Sequence, residues 1–441
     1  MIRANADASL THRGEGRIHG PGGDLGRGRC SGRIHRVTRA VQQTTRDLRR
    51  HNRSAVLSRL YVQGPTSRQD LTKASGLSSA TVSNVVSDLI NDGVVAEAGL
   101  VGSDGGRPRT LIQVRGEFGH VVGVDIGETH VQIGLFDYTL ETLATATYSV
   151  AATRLEPESV AGLVLAGVEE VVSQVGVETG SLLGIGVGVP GAVQIGGREL
   201  VYAPTLGWSA VPLADMLRRD LPVPVYLDNC ARTLGQAEMW RGAGRGARRA
   251  VVALLGVGVG AAVATSSESF RDMAGTTSTT SEWGHTVINV DGRPCRCGSR
   301  GCLEAYVGAE AVLDDYLALP DARPFESEGT EARLAELVAR AEDGGGASQV
   351  LGKTAEYLGI GIANLINLLS PDRVVLSGWA GETMGPAILP AVRETVRRHA
   401  LTYMYGQARI ELGQLGQEAV ALGAATLPVV QVLASGGSLR A

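Results

Sequence analysis

Trp283-Gly284-His285 and, a little downstream, Pro294-Cys295-Arg296-Cys297-Gly298-Ser299-Arg300-Gly301-Cys302-Leu303-Glu304 are the stretch on which the reading of this chain turns. Three cysteines crowd into eight positions, and a histidine stands ten residues before the first. One imidazole and three thiolates suffice to close a tetrahedral Zn²⁺ shell, leaving no open position for water. Gly298 and Gly301 let the backbone turn sharply enough for the sulfurs to converge. A closed shell of His285, Cys295, Cys297 and Cys302 predicts structural zinc rather than catalytic zinc. The alternative, three free thiols and a core histidine, leaves the CxCGxxGC spacing without a reason.

Working outward, the body from His120 onward reads as α/β. Val121-Val122-Gly123-Val124-Asp125 is a buried strand, with hairpin partners at Val131–Phe136 and Thr142–Val150. A helix at Pro157–Val175 follows, then strands at Leu183–Val189 and Pro224–Leu227, the latter feeding a helix from Ala231. A second glycine-rich strand pair begins at Ala250–Leu255. Hairpins and crossovers repeated in two halves predict two lobes facing a cleft.

The front of the chain differs. Residues 1–43 are rich in Gly and Arg without hydrophobic periodicity and read as a disordered arm. Residues 44–115 predict helix, helix, turn, helix and hairpin. Gly64-Pro65 ends the first helix, and Ser78 caps the third. Val82, Val85, Val86, Leu89 and Ile90 form its apolar stripe at i, i+3, i+4, i+7, i+8. Two strands around a Gly/Asp loop complete a winged helix-turn-helix. The exposed positions Ser79, Thr81, Ser83 and Asn84 are small and polar, which suits a helix entering a major groove.

Charge divides the chain in the same place. Residues 1–115 carry 18 Arg and Lys against 9 Asp and Glu, and the remainder carries 23 against 36. A basic front on an acidic body predicts a nucleic-acid-binding head joined to a module for another ligand. The alternative is a basic tail without a partner. No run of about 18 apolar residues predicts a membrane span, and no secretory h-region precedes the first arginines. Cys30 and Cys230 stand apart from the cluster without framework spacing, which fits a reducing cytoplasm.

His285 followed by CxCGxxGCxE resembles the zinc signature of the ROK family, which groups sugar-responsive repressors with sugar kinases. The resemblance covers roughly residues 50–435. It implies an actin-like (RNase H-like), two-lobed sugar-kinase fold behind the winged helix, with lobes at 116–244 and 245–441 and a final helix packed across both. The loop Asp104-Gly105-Gly106-Arg107-Pro108-Arg109 resembles the family repressors' wing. Arg107, between glycine and proline, is shaped for a narrow minor groove, and Arg109 flanks it. The resemblance implies sugar contacts from Asn229, Glu282, His285 and Glu304.

Three motifs depart from the kinases of that family. Asp125-Ile126-Gly127-Glu128-Thr129-His130 keeps Asp125, Gly127 and Thr129 of the phosphate hairpin, but Glu128 replaces a glycine and His130 a lysine. Aligned on Glu238, Asn229 keeps its place and Cys230 falls where the catalytic aspartate is expected; an alignment with Asp228 as the base stays open. Val257 replaces a hydroxyl residue in Leu255-Gly256-Val257-Gly258-Val259-Gly260. Ser278, Ser281 and Ser377-Gly378-Trp379 stand where glycines are expected around the pocket. The expectation is a cytoplasmic, nucleoid-associated, homodimeric or homotetrameric repressor of sugar-utilisation genes without kinase activity. It would bind double-stranded operator DNA and a sugar or sugar phosphate. The rivals are an ATP-dependent sugar kinase with a regulatory head, and a ligand-independent DNA-binding protein whose body serves assembly.

Overall fold

Thr44 opens the first helix with a reciprocal cap. Its hydroxyl accepts from the Asp47 amide at 3.2 Å, and the Asp47 carboxylate accepts from the Thr44 amide at 3.1 Å. The computed structural model describes residues 44–102, 108–150, 155–194, 198–265 and 282–438. The arm, Arg107, Ser278 and Ser281 lie outside these described residues.

Helix α1 (Thr45–Gln63) ends at Gly64, whose φ of 76° only glycine adopts without strain. A short strand β1 (Thr66–Ser67) leads into α2 (Arg68–Ser75), capped by Ser67, and α3 (Ser79–Asn91), capped by Ser78. The hairpin β2 (Val95–Val101) and β3 (Arg109–Val114) follows, and β1 adds to its outer edge. Val82, Val85, Val86 and Leu89 are buried, so the apolar stripe does face the core. Ion pairs of 2.6 Å, Arg49 to Asp88 and Arg53 to Asp92, tie α1 to α3 and its cap.

The first large sheet contains β4 (His120–Ile126), β5 (His130–Asp137), β6 (Thr142–Ser149), β7 (Gly184–Val189) and β11 (Val225–Asn229) in the order β11-β7-β4-β5-β6. The hairpins β4-β5-β6 are antiparallel, while β7 and β11 run parallel to β4. Helix α4 (Pro157–Val175) covers one face with Val160, Val164, Val168 and Val171. A small sheet of β8 (Ala192–Gln194), β9 (Leu200–Ala203) and β10 (Trp208–Val211), then α5 (Leu213–Arg218), fills the crossover to β11. Helix α6 (Cys230–Trp240) follows and packs against strands of both large sheets.

The second sheet repeats this scheme. Strands β12 (Arg249–Leu255) and β13 (Val259–Thr265) form a hairpin, and β14 (Arg373–Ser377) and β15 (Arg409–Leu412) add in parallel, giving β13-β12-β14-β15. Between them run α7 (Glu304–Val307), α8 (Ala309–Leu317), α9 (Thr330–Glu342) and α10 (Gly345–Leu369). Helix α11 (Trp379–His399) and the short α12 (Thr402–Gln407) separate β14 from β15. A hairpin with two parallel strands on one side, present twice about a cleft, is the actin-like sugar-kinase arrangement that the resemblance implies.

Helix α13 (Ala419–Ala434) lies on the first sheet. A Cβ at Gly123 or Gly186 would fall 1.9 Å from the Ala421 carbonyl oxygen or 1.8 Å from that of Ala424. Glycine on the strands therefore lets the helix approach at backbone contact. Ala419 and Val420 in its first turn meet Leu234 of α6 and Val252 and Val375 of the second sheet. Its far end, with Val429, Val432 and Leu433, joins the core of the winged helix. Val121 and Phe136 of the first sheet, with Tyr138 and Leu140 of the turn after β5, share that core, so head and body form one hydrophobic unit.

Candidate functional site

The segment carrying Cys295, Cys297 and Cys302 folds into a knuckle. Gly298 and Gly301 take φ of 92° and 72°, and the Gly298 amide donates to the Cys295 carbonyl at 2.9 Å. The four ligand atoms of His285, Cys295, Cys297 and Cys302 lie within 4.8 Å of one another. Cys297 and Cys302 sulfurs are 3.7 Å apart, and the Cys295 sulfur lies 3.6 Å from His285 Nδ1. A tetrahedral zinc with bonds of about 2.3 Å to sulfur and 2.0–2.1 Å to nitrogen sets such edges at roughly 3.5–3.8 Å. The sulfurs are too far apart for disulfides. The donor set and its spacing fit a tetrahedral divalent metal.

The knuckle borders a cavity of about 600 Å³ between the two sheets. Asn229, Glu282, His285 and Glu304 all line it, so the structure brings the four expected sugar contacts to one space. Their free capacity differs. Asn229 is the N-cap of α6: Oδ1 accepts from the Ala231 and Arg232 amides, and Nδ2 donates to the Gly191 carbonyl at 2.7 Å. Glu304 is buried, and its Oε2 accepts from the Val259 amide at 3.0 Å. Its Oε1 accepts from Arg296 Nε at 2.8 Å. Glu282 is exposed at the cavity wall.

Asp125, Gly127, Glu128, Thr129 and His130 line the opposite wall, on the turn between β4 and β5. Glu128 grips Arg296 through both guanidinium ends, at 2.6 and 3.0 Å. His130 lies 3.5 Å from Asp125 and 3.2 Å from Glu331 of α9. Thr129 donates to the same Glu331 oxygen at 2.7 Å. Burial opposes charge on His130, but the bonds to Asp125 and Glu331 outweigh it and raise its pKa to about 10. The ring is therefore an imidazolium at neutral pH. Both substituted residues of the phosphate hairpin thus join the first sheet's turn to elements around the second sheet.

Cys230 lines the cavity, whereas Asp228 is turned into an ion pair with Arg232 at 2.9 Å. Burial, with Asp125 nearby, pushes the Cys230 thiol well above its usual range, so it stays protonated. Trp379, at the start of α11, closes the glycine-loop side of the cavity beside Gly256.

Sequence reasoning missed Arg296 and Glu331. Arg296 carried a signal, being the single residue between Cys295 and Cys297 and a charged one. Glu331 carried none, because its partner His130 is 201 positions away.

On the head, Ser79 and Asn84 are exposed on α3, while Thr81 and Ser83 are half-buried. The Thr81 hydroxyl lies 2.8 Å from that of Ser78, within the helix cap. Arg109 reaches Asp70 of α2 at 3.2 Å. No helix among the described residues is long and apolar enough to cross a membrane.

The profile of a family described as ROK matches residues 121–430. The xylose repressor of Caldicellulosiruptor bescii is 29% identical over 398 residues, 88% of this chain and 97% of that protein. The glucokinase of Halalkalibacterium halodurans is 30% identical over 250 residues, 55% of this chain and 74% of that protein. Among solved structures, a transcriptional regulator described as a homologue of the E. coli MLC protein superposes with a TM-score of 0.71 at 22% identity. It covers 88% of this chain and 98% of its own. The match therefore covers 88% of the chain with the xylose repressor and with the transcriptional regulator, against 55% with the glucokinase.

Proposed function

The chain belongs to the ROK family, and from that premise we propose that it is a sugar-responsive transcriptional repressor whose cleft binds an effector without phosphorylating it. The observation that carries this reading is the continuous core joining the winged helix to the sheet and helix that wall the cleft. The repressor relatives match over both parts. We take residues 44–115 as the DNA-binding head, 116–244 and 245–441 as the lobes, and His285, Cys295, Cys297 and Cys302 as ligands of a structural zinc. The metal would contribute folding energy and hold the loop that carries Arg296; it takes no part in chemistry. Double-stranded operator DNA would be read by a dimer or tetramer, since paired half-sites raise affinity beyond one head.

Ser79, Thr81, Ser83 and Asn84 present short polar groups for the major groove. Arg109, with Arg107 two positions before it in the sequence, would supply cations for the minor groove. A good bidentate base contact contributes about 1–3 kcal/mol, so Asn84→Ala should weaken binding to the best operator by that amount. Its effect on non-specific DNA should be far smaller.

Against phosphotransfer stand the protonated thiol of Cys230, the ion-paired Asp228 and the carboxylate of Glu128 within the phosphate hairpin. A general base must reach and accept the sugar hydroxyl proton; Cys230 lines the cavity but keeps its own proton, and Asp228 is held by Arg232. Anisotropy titrations of genomic fragments test the proposal, with and without a panel of sugars. A sugar that lowers DNA affinity and raises thermal stability supports it. Hexose phosphorylation at ordinary kinase rates, of order 1–100 per second, would replace it with the kinase reading.

A further inference from the structure

The cleft carries the wrong charge for a phosphate. Four carboxylates line it, from Asp125, Glu128, Glu282 and Glu304, against the cations His130 and Arg296. Both cations already face carboxylates. Each of the three guanidinium nitrogens of Arg296 meets one: Nη1 and Nη2 meet Glu128 at 2.6 and 3.0 Å, and Nε meets Glu304 at 2.8 Å. Both ring nitrogens of His130 do the same, toward Asp125 and Glu331.

Backbone donors on the two glycine loops are turned inward as well. The Gly127 amide donates to the His130 carbonyl at 2.8 Å, and the Gly256 amide to the Gly258 carbonyl at 2.9 Å. The Val259 amide donates to Glu304. Gly258 leaves room for the clasp, since a Cβ there would sit 3.0 Å from Arg296 Nη2 and 3.2 Å from Glu128. An entering phosphate would have to pull a guanidinium from two carboxylates and then sit beside the others. Sugar hydroxyls, by contrast, are donors, and carboxylates accept from them.

We propose that the effector is an uncharged sugar, and that Glu128 sets this preference by holding Arg296 across the cleft so that sugar phosphates are excluded. This rests on the sugar-responsive reading above. It assigns to Glu128 a specificity role: like-charge juxtaposition against the wrong ligand, rather than added contacts to the right one.

Calorimetric titration of the full-length protein tests it. The probes are D-xylose, D-glucose and N-acetylglucosamine, the 6-phosphates of the two hexoses, and pyrophosphate. The native protein should bind a neutral hexose at least about tenfold tighter than its phosphate ester, and should not bind pyrophosphate. Glu128→Gln should cut that ratio about tenfold, chiefly by tightening the ester, and should admit pyrophosphate. Adding Arg296→Gln should abolish the gain. Glu128→Gly serves as a second variant, with thermal melts of both confirming the fold.

A native protein that prefers the ester, or a ratio unmoved by either variant, would overturn the assignment. Binding of no sugar at all, with pyrophosphate still excluded by Glu128, would sink the sugar-responsive reading and the effector with it. It would leave anion exclusion standing, so the two failures are distinguishable.

Discussion

Cys302 is fully buried, Cys295 nearly so, and Cys297 stands at the surface of the knuckle. Cys297→Ala therefore removes a ligand with little loss of packing, so its effect reports the metal. Purified protein should hold one zinc per chain, and the variant should hold much less by elemental analysis. Structural zinc supplies folding energy, so melting should fall by several degrees, at about 2–4 °C per kcal/mol for a unit of this size. His130 yields a second test at this scale. Its pKa rises from an ordinary 6.5 to about 10 in the folded protein. A group with a raised folded pKa gives its full stabilisation below the unfolded value and loses it as pH climbs through the folded one. Urea stability should thus decline between about pH 6.5 and 10, and His130→Gln should flatten that slope. An equal slope in the variant would assign the decline to other groups. The convergence of His285 with the three cysteines was legible in the sequence because these residues are local. The clasp was not: Glu128 and Arg296 are 168 positions apart, and only the fold brings them together.

Elements were legible where periodicity and caps agree. Helix α3 shows its stripe at i, i+3, i+4 and i+7, and Ser78 accepts from the Thr81 amide as a cap should. Helix α4 starts at Pro157, where a missing amide is harmless, and stops at Gly176 in the left-handed region. Helix α13 hides its partners, because it is apolar nearly all round and periodicity cannot say which face meets which sheet. The strand glycines held that information. Gly123→Ala drives a methyl into the α13 backbone at Ala421 and should destabilise by about 1–3 kcal/mol, the range for overpacking. Gly162→Ala is the contrast: this position is exposed on α4, and nothing lies within 4 Å of an added Cβ. It should stabilise by about 0.5–1 kcal/mol through helix propensity alone. Urea denaturation of both variants measures the difference, and a Gly123→Ala protein no less stable than native would show that α13 does not approach the sheet as closely as described.

At the scale of the whole molecule, the question is how a ligand between the sheets reaches the head. The head is not tethered by a free linker. Tyr61 of α1 donates its hydroxyl to the Tyr138 carbonyl at 2.8 Å, and its ring meets Tyr138 and Trp240 edge-on, at 5.6 and 5.4 Å. Trp240 ends α6, the helix that starts at the cavity with Cys230 and packs on both sheets. Arg53 donates to the Gly436 carbonyl at 2.8 Å, just beyond α13. A shift of α6 or α13 on effector binding would therefore be delivered to α1 by packed side chains rather than by diffusion of a loose domain. Coupling of this kind is a free energy shared by both ligands: sugar weakens DNA binding by the same factor by which DNA weakens sugar binding. Tyr61→Ala removes the aromatic contact and the hydrogen bond while sparing the α3 surface. It should leave DNA affinity without sugar within a few-fold of native and draw the ratio of DNA affinities, sugar-free to sugar-bound, toward one. Typical coupling energies of about 1–3 kcal/mol correspond to ratios of roughly 5–150 in the native protein. Anisotropy titrations at saturating and zero sugar give both ratios. If Tyr61→Ala weakens DNA binding outright but keeps the native ratio, the aromatic contact only holds the head in place, and the signal must pass through the Arg53 and α13 side instead.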